Sequence, residues 1–185
     1  MAERNLNVDH VMIWRWVQRY APELNRLCRR ELRMTNRSWR VDETYLRVAG
    51  KWAYLYRAVD STGATIDFLL SARRDAAAAK RFFMDGNPSY PKVIAELKRT
   101  GELGRRCRCR PVRYLNNVVE QDHRAIKRRV RASQGFRSFD SAARMIQGIE
   151  TVNMIRKGQV RWLAKDDIAG QVAFVAGIFG LTNMG

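Results

Sequence analysis

SWRVDETYLRVAGKWAYLYRAVDSTGATIDFLLS, residues 38–71, has the pattern of three consecutive β-strands. WRVDETYLRV (39–48) alternates polar and apolar residues and is rich in β-formers. Ala49-Gly50 turns the chain into KWAYLYRAVD (51–60), and Ser61-Thr62-Gly63 turns it again into ATIDFLLS (64–71). Connections of two or three residues cannot carry a parallel crossover, so these strands form an antiparallel meander. Trp39, Trp52, Tyr54 and Tyr56 read as core residues rather than base-stacking ones.

Beyond Ser71 the pattern changes to helices. DAAAAKRFF (75–83) and PSYPKVIAELKRT (88–100) read as helices, the second opened by Pro88 and closed by Gly101. RCRCRPVRY (106–114) alternates as a further strand, with Cys107 and Cys109 on one face. NNVVEQDHRAIKRRVR (116–131) and SFDSAARMIQGIETVNMIRKG (138–158) are helical, and 159–185 is a tail with a weak apolar pattern. On the N-terminal side, VDHVMIWRWVQRY (8–20) reads as a short helix capped by Asp9 and ended by Ala21-Pro22, with Arg15 and Arg19 projecting. Residues 23–37 form a basic connector. Three strands followed by helices alternating with a strand predict a mixed sheet with helices packed on it.

The totals bound the partners. The 185 residues include 35 Lys and Arg against 18 Asp and Glu, a net charge of +17. That charge calls for a polyanion, and nucleic acid leads the candidates. No apolar run reaches the ~18–20 residues that span a bilayer. Val172–Leu181 comes nearest and contains two glycines. No signal peptide is visible in Met1–Arg19. Cys28, Cys107 and Cys109 supply neither a disulfide framework nor a zinc-ligand spacing. A reducing, cytoplasmic setting without membrane association is expected.

The helix at 116–131 sets one acid inside a basic block. At 100° per residue, Glu120, Arg124, Lys127 and Arg131 fall within roughly 60° of one another, with His123 beside them. Val119, Ile126 and Val130 form a separate apolar stripe that can dock on a core. Such a face suits either a solvated Glu–Arg pair or a metal-binding carboxylate backed by phosphate-binding cations. Two more acids stand out: Asp42, a carboxylate inside a β run, and Asp85, opening DGNPSY before a helix.

Taken together, the 38–71 stretch, DGNPSYPKVIAELK, RYLNNVVEQDHRAIKRRV, GFRSF and MIRKG resemble the DDE transposases of bacterial insertion sequences, in the insertion-sequence-six group. The likeness runs from about Val8 to Gly158. It implies an RNase H-like core over 38–158, in which Asp42, Asp85 and Glu120 hold two divalent ions, Mg2+ or Mn2+, and cut and join DNA ends. The 34 residues between Asp85 and Glu120 match the family's D-(34)-E spacing, and Lys127 matches its basic residue seven beyond the Glu. With the family in view, Lys127, Arg124 and Arg131 become DNA contacts. Arg15 and Arg19 become contacts on what resembles the last helix of a helix-turn-helix, so 1–37 reads as a truncated DNA-binding remnant and 159–185 as a tail. Terminal inverted repeats and target DNA are the implied partners, with homo-oligomeric assembly and a nucleoid-associated, bacterial setting.

One departure carries a prediction. Only 13 residues separate Ser71 from Asp85, and 42 separate Asp42 from Asp85, far fewer than the resemblance implies. A parallel crossover alone needs about a dozen residues. The spacing predicts an internal deletion that removes the central strand presenting Asp85, and with it the reach of Asp85 to Asp42 and Glu120. The expected function is insertion-sequence transposition by two-metal phosphoryl transfer, inactive if the deletion breaks the site. The alternative is a non-catalytic DNA-binding protein, derived from a transposase, that interferes with or regulates a full-length partner.

Overall fold

The computed structural model describes residues 9–36, 38–73, 99, 126–128, 130 and 136–181. They fall into two compact units, Met1–Met34 with Asp140–Gly185, and Thr35–Phe139.

In the second unit, β1 (Trp39–Val48), β2 (Lys51–Asp60) and β3 (Thr65–Ser71) form an antiparallel sheet in the order β1-β2-β3. The β1–β2 turn has two residues, Ala49 and Gly50, both with positive φ (49° and 75°). Two consecutive left-handed residues give the backbone twist that a tight hairpin needs. The turn is held further by Ala49 N–H, which donates to the Phe136 carbonyl at 2.7 Å, where Phe136 bridges Val48 in parallel. Alternation does the rest. Thr44, Leu46 and Val48 are buried while Tyr45 is exposed, and Leu55, Tyr56, Ala58 and Val59 make β2 buried on both faces.

The β2–β3 turn is closed by Asp60. Its carboxylate accepts from Thr62 N–H (2.9 Å), Thr62 Oγ1 (2.6 Å), Ala64 N–H (3.0 Å) and Asn36 N–H (3.2 Å). Burial pushes this carboxyl up, but the hydrogen bonds from the Thr62 hydroxyl and from the Asn36, Ala64 and Thr62 amides outweigh it and hold it below the usual carboxylate range.

The first unit is helical, built from α1 (His10–Cys28), a 3-10 turn (Arg29–Glu31), α2 (Phe139–Arg156) and α3 (Ile168–Ile178). Asp9 caps α1 as expected, its Oδ1 accepting from Met12 N–H at 2.7 Å. The helix does not stop at Ala21-Pro22, however; it continues to Cys28 with Pro22 inside it. Proline cannot donate to the carbonyl four residues back, which here is Gln18. Arg144 of α2 supplies the missing donor, its Nη1 lying 3.3 Å from the Gln18 oxygen. Close packing accompanies this repair: a Cβ on Gly148 would stand 3.0 Å from the Ala21 Cβ and 3.7 Å from Val17 Cγ1.

Cys28, Ile155, Val160 and Leu163 form a buried cluster, flanked by Leu32, Phe174, Val175 and Ile178. Burial pushes the Cys28 thiol up to about 11, with smaller opposing effects from Arg29 and Glu31. It is therefore a packed apolar side chain and not a nucleophile. The tail after α2 is tied back by backbone bonds, Arg33 N–H to Gln159 O (2.7 Å) and Arg161 N–H to Glu31 O (2.8 Å). It then forms α3, capped by Asp167, whose Oδ1 accepts from Gly170 N–H at 2.8 Å.

Candidate functional site

Asp42 lies in β1, in register opposite Arg57 of β2. Directly opposed residues share a sheet face. Arg57 is fully buried, and Thr44, Leu46, Val48, Ala53 and Leu55 of that alternation are buried with it. Arg57, at the register position across from the first acid, is thus held inside the protein. Sequence reasoning passed over Arg57. The signal was present: an arginine within KWAYLYRAVD, at the position that the Ala49-Gly50 turn sets across from Asp42.

Asp85, Glu120, Arg124 and Arg131 lie outside the described residues, as do Cys107 and Cys109. Lys127 is described. Residues 126–128 and 130 are helical, and Ile126 and Val130 are buried, as the apolar stripe predicts. Lys127 Nζ stands 4.9 Å from the centre of the Tyr45 ring. That brings Lys127 to the Tyr45 face of the sheet, the alternation opposite to Asp42. Trp52 does not join the core: it is 48% exposed, whereas Tyr56 is 2% exposed.

Arg15 and Arg19 are exposed on α1, among the exposed Trp14, Trp16 and Tyr20. Arg19 lies over the Tyr20 ring at 5.6 Å. Asp60, the most heavily hydrogen-bonded acid of the β2–β3 turn, is committed to that turn and not to a ligand. Among the described residues no group of three His, Cys, Asp or Glu side chains is placed to hold a metal. Among them also no helix is long and apolar enough to cross a membrane.

An antiparallel meander of this register, with an acid in its first strand and the Lys127 cation over its Tyr45 ring, is the setting for the comparisons with known proteins. A family model described as a DDE domain matches the chain in two blocks, residues 36–84 and 83–159. The chain belongs to the DDE transposases of insertion sequences, in the insertion-sequence-six family. Among its relatives is the transposase for insertion sequence-like element IS431mec of Staphylococcus aureus, 36% identical over 177 residues, covering 88% of this chain and 77% of that protein. Another, also from Staphylococcus aureus, is the transposase for insertion sequence element IS257 in transposon Tn4003. It is 36% identical over 174 residues, covering 86% of this chain and 76% of the relative. The mixed α/β architecture is accordingly the RNase H-like class expected from sequence.

Proposed function

We propose that this chain is an insertion-sequence transposase in ancestry and site chemistry, built for cleavage and joining of DNA ends. Asp42, Asp85 and Glu120 are its metal-holding acids. Three carboxylates form a hard, all-oxygen donor set, which suits Mg2+ or Mn2+ rather than zinc. When bound, a pair of such ions stabilises the attacking and leaving oxygens of an in-line displacement at phosphorus. The chain's own part is to present those acids and to hold the DNA. Lys127, Arg124 and Arg131 grip backbone phosphates, and Arg15 and Arg19 do so from the exposed face of α1. The substrates are the element's terminal inverted repeats and target DNA, handled by a homo-oligomer inside the bacterial cell, at the nucleoid.

A second reading is favoured by one specific observation, the split of the family match. Its two blocks meet and overlap at residues 83–84, immediately before Asp85. Extra residues in this chain would leave a gap between the blocks; missing residues bring them together. The alignment to the IS431mec transposase points the same way, since its 177 positions exceed 88% of a 185-residue chain. Both support an internal deletion just ahead of the second acid. On this reading the chain binds DNA but does not transfer strands, and it acts on full-length partners by occupying ends or by mixed assembly.

The test is Mg2+- or Mn2+-dependent cleavage of a duplex carrying the element's ends, run beside a binding assay on the same DNA. End-specific binding with cleavage at background supports the second reading. Robust cleavage that Asp42→Ala and Asp85→Ala both abolish supports the intact transposase and rejects the consequence drawn from the deletion. Binding with no preference for the ends rejects both.

A further inference from the structure

The exposed face of the β1–β2 hairpin carries side chains that the metal-site chemistry does not use. Tyr45 and Trp52 are 55% and 48% exposed, and their rings meet edge to face at 5.1 Å and 88°. The pair is bracketed by cations. Arg47, opposite Trp52 in register, places its guanidinium 4.4 Å from the Trp52 ring centre and is fixed by an Nη1 bond to the Gly50 carbonyl at 3.2 Å. Lys127 stands over Tyr45 at 4.9 Å. Lys51 is exposed at the start of β2. The order across the strip is therefore cation, ring, ring, cation.

Two large aromatic side chains half in solvent cost hydration that a folded monomer does not recover, and a sheet can bury such rings if the core needs them. Here β2 buries Tyr56 and leaves Trp52 outside. Edge-to-face contact and cation–π attraction hold the rings in fixed orientations. Prefixed rings lose little conformational freedom when something stacks on them. The flanking charges select an anion, and the chain's excess of 35 basic over 18 acidic residues selects a polyanion. Glu43 shares the alternation of Tyr45 and Arg47, against two cations at the rings, Arg47 and Lys127.

We infer that Tyr45 and Trp52, flanked by Arg47 and Lys127, form a binding strip for unpaired nucleotides, with bases stacking on the rings and phosphates meeting the cations. A base buried in duplex has no free face to offer, so the strip distinguishes single-stranded DNA from double-stranded DNA, such as bases unpaired at a DNA end. It rests on the proposed DNA-handling role only through Lys127, since the rings and Arg47 lie on the hairpin itself.

The experiment titrates the full chain with a fluorescently labelled oligothymidylate and, separately, with a labelled duplex of equal length. Trp52→Ala and Tyr45→Ala are each expected to weaken single-strand binding roughly tenfold, in line with the loss of one stacking platform, and to leave duplex binding within about twofold. The ring-retaining Trp52→Phe and Tyr45→Phe are expected to keep most of the single-strand affinity, which separates stacking from hairpin stability. Lys127→Ala is expected to weaken both. Thymine also quenches a stacked indole, so oligothymidylate should dim the wild-type chain's tryptophan fluorescence more than that of Trp52→Phe. Equal losses on both DNAs, or no loss in Trp52→Ala, would overturn the strip. Failure of the duplex to bind the wild-type chain, with the single-strand preference intact, would instead strike the transposase reading and leave the strip standing.

Discussion

The β1–β2 hairpin and helix α1 each contain a residue that local preference disfavours, and they accommodate it differently. In the hairpin it is Ala49, held at φ 49°, a conformation that costs an L-residue roughly 1–2 kcal/mol. In the helix it is Pro22, which removes a hydrogen bond and crowds the preceding turn. Ala49 is supported by the ladder it closes and by the Phe136 carbonyl. Pro22 is supported by a single side chain, Arg144, 122 positions further along the chain. A strand pair thus corrects its turn through neighbours fixed by register, while this helix needs a distant element before it can run its full length.

Substitutions test how the two elements differ. The largest effect is expected on the sheet side. Leu55 is fully buried in the central strand, and Leu55→Ala should cost about 2–5 kcal/mol through lost burial and the cavity left behind. A urea titration reads this, and a cost below about 1 kcal/mol would show that β2 is not the sheet's keystone. Asp60→Asn comes next. It removes a carboxylate that accepts four hydrogen bonds and should cost about 1–3 kcal/mol near neutral pH.

The sign of the pH dependence follows from the lowered pKa of Asp60. A carboxyl held below its unfolded value, about 3.9 for aspartate, contributes stability that is present above that value. The contribution is lost as pH falls through the lower, folded value. Urea midpoints measured from neutral pH into the acid range should therefore fall more steeply for the wild-type chain than for Asp60→Asn. Parallel curves would mean that Asp60 is not the group responsible.

On the helix side the informative measurement is a double-mutant cycle. Arg144→Ala should cost about 1 kcal/mol when proline leaves the Gln18 carbonyl without its own amide donor. In a Pro22→Ala background the restored amide serves that carbonyl, and most of the Arg144 cost should vanish. Additive costs would show that Arg144 acts through something other than the Pro22 gap. The smallest effect is at the hairpin tip, where Ala49→Asn should stabilise by about 0.5–1 kcal/mol, because asparagine tolerates the left-handed conformation better. A small rise in melting temperature checks it.

The same contrast explains what was legible in the sequence. Alternation and short turns gave β1 and β2 their bounds to the residue, and β3 begins one residue later than read, at Thr65. The 138–158 helix appears as Phe139–Arg156. Pro22 read as a stop because the donor that rescues Gln18 is invisible locally, and α3 hid in a tail whose apolar pattern is weak. Alternation told which strand residues share a face but not how far cover extends along it, so Trp52 was assigned to the core and lies outside. Asp42 was legible as an acid out of character in a strand. Its opposition to Arg57 was implied by the turn and required only that the register be counted through.

Gly148 faces Ala21 so closely that an added Cβ would stand 3.0 Å from the Ala21 Cβ, and the neighbour would have to give way slightly. The two positions are thus locked in a shared volume, and drift at one constrains drift at the other. Among relatives that keep this helical unit, a bulkier residue at 148 should coincide with glycine at 21. Such a coupled pair would serve as a molecular fossil of the crossing, readable from aligned chains alone.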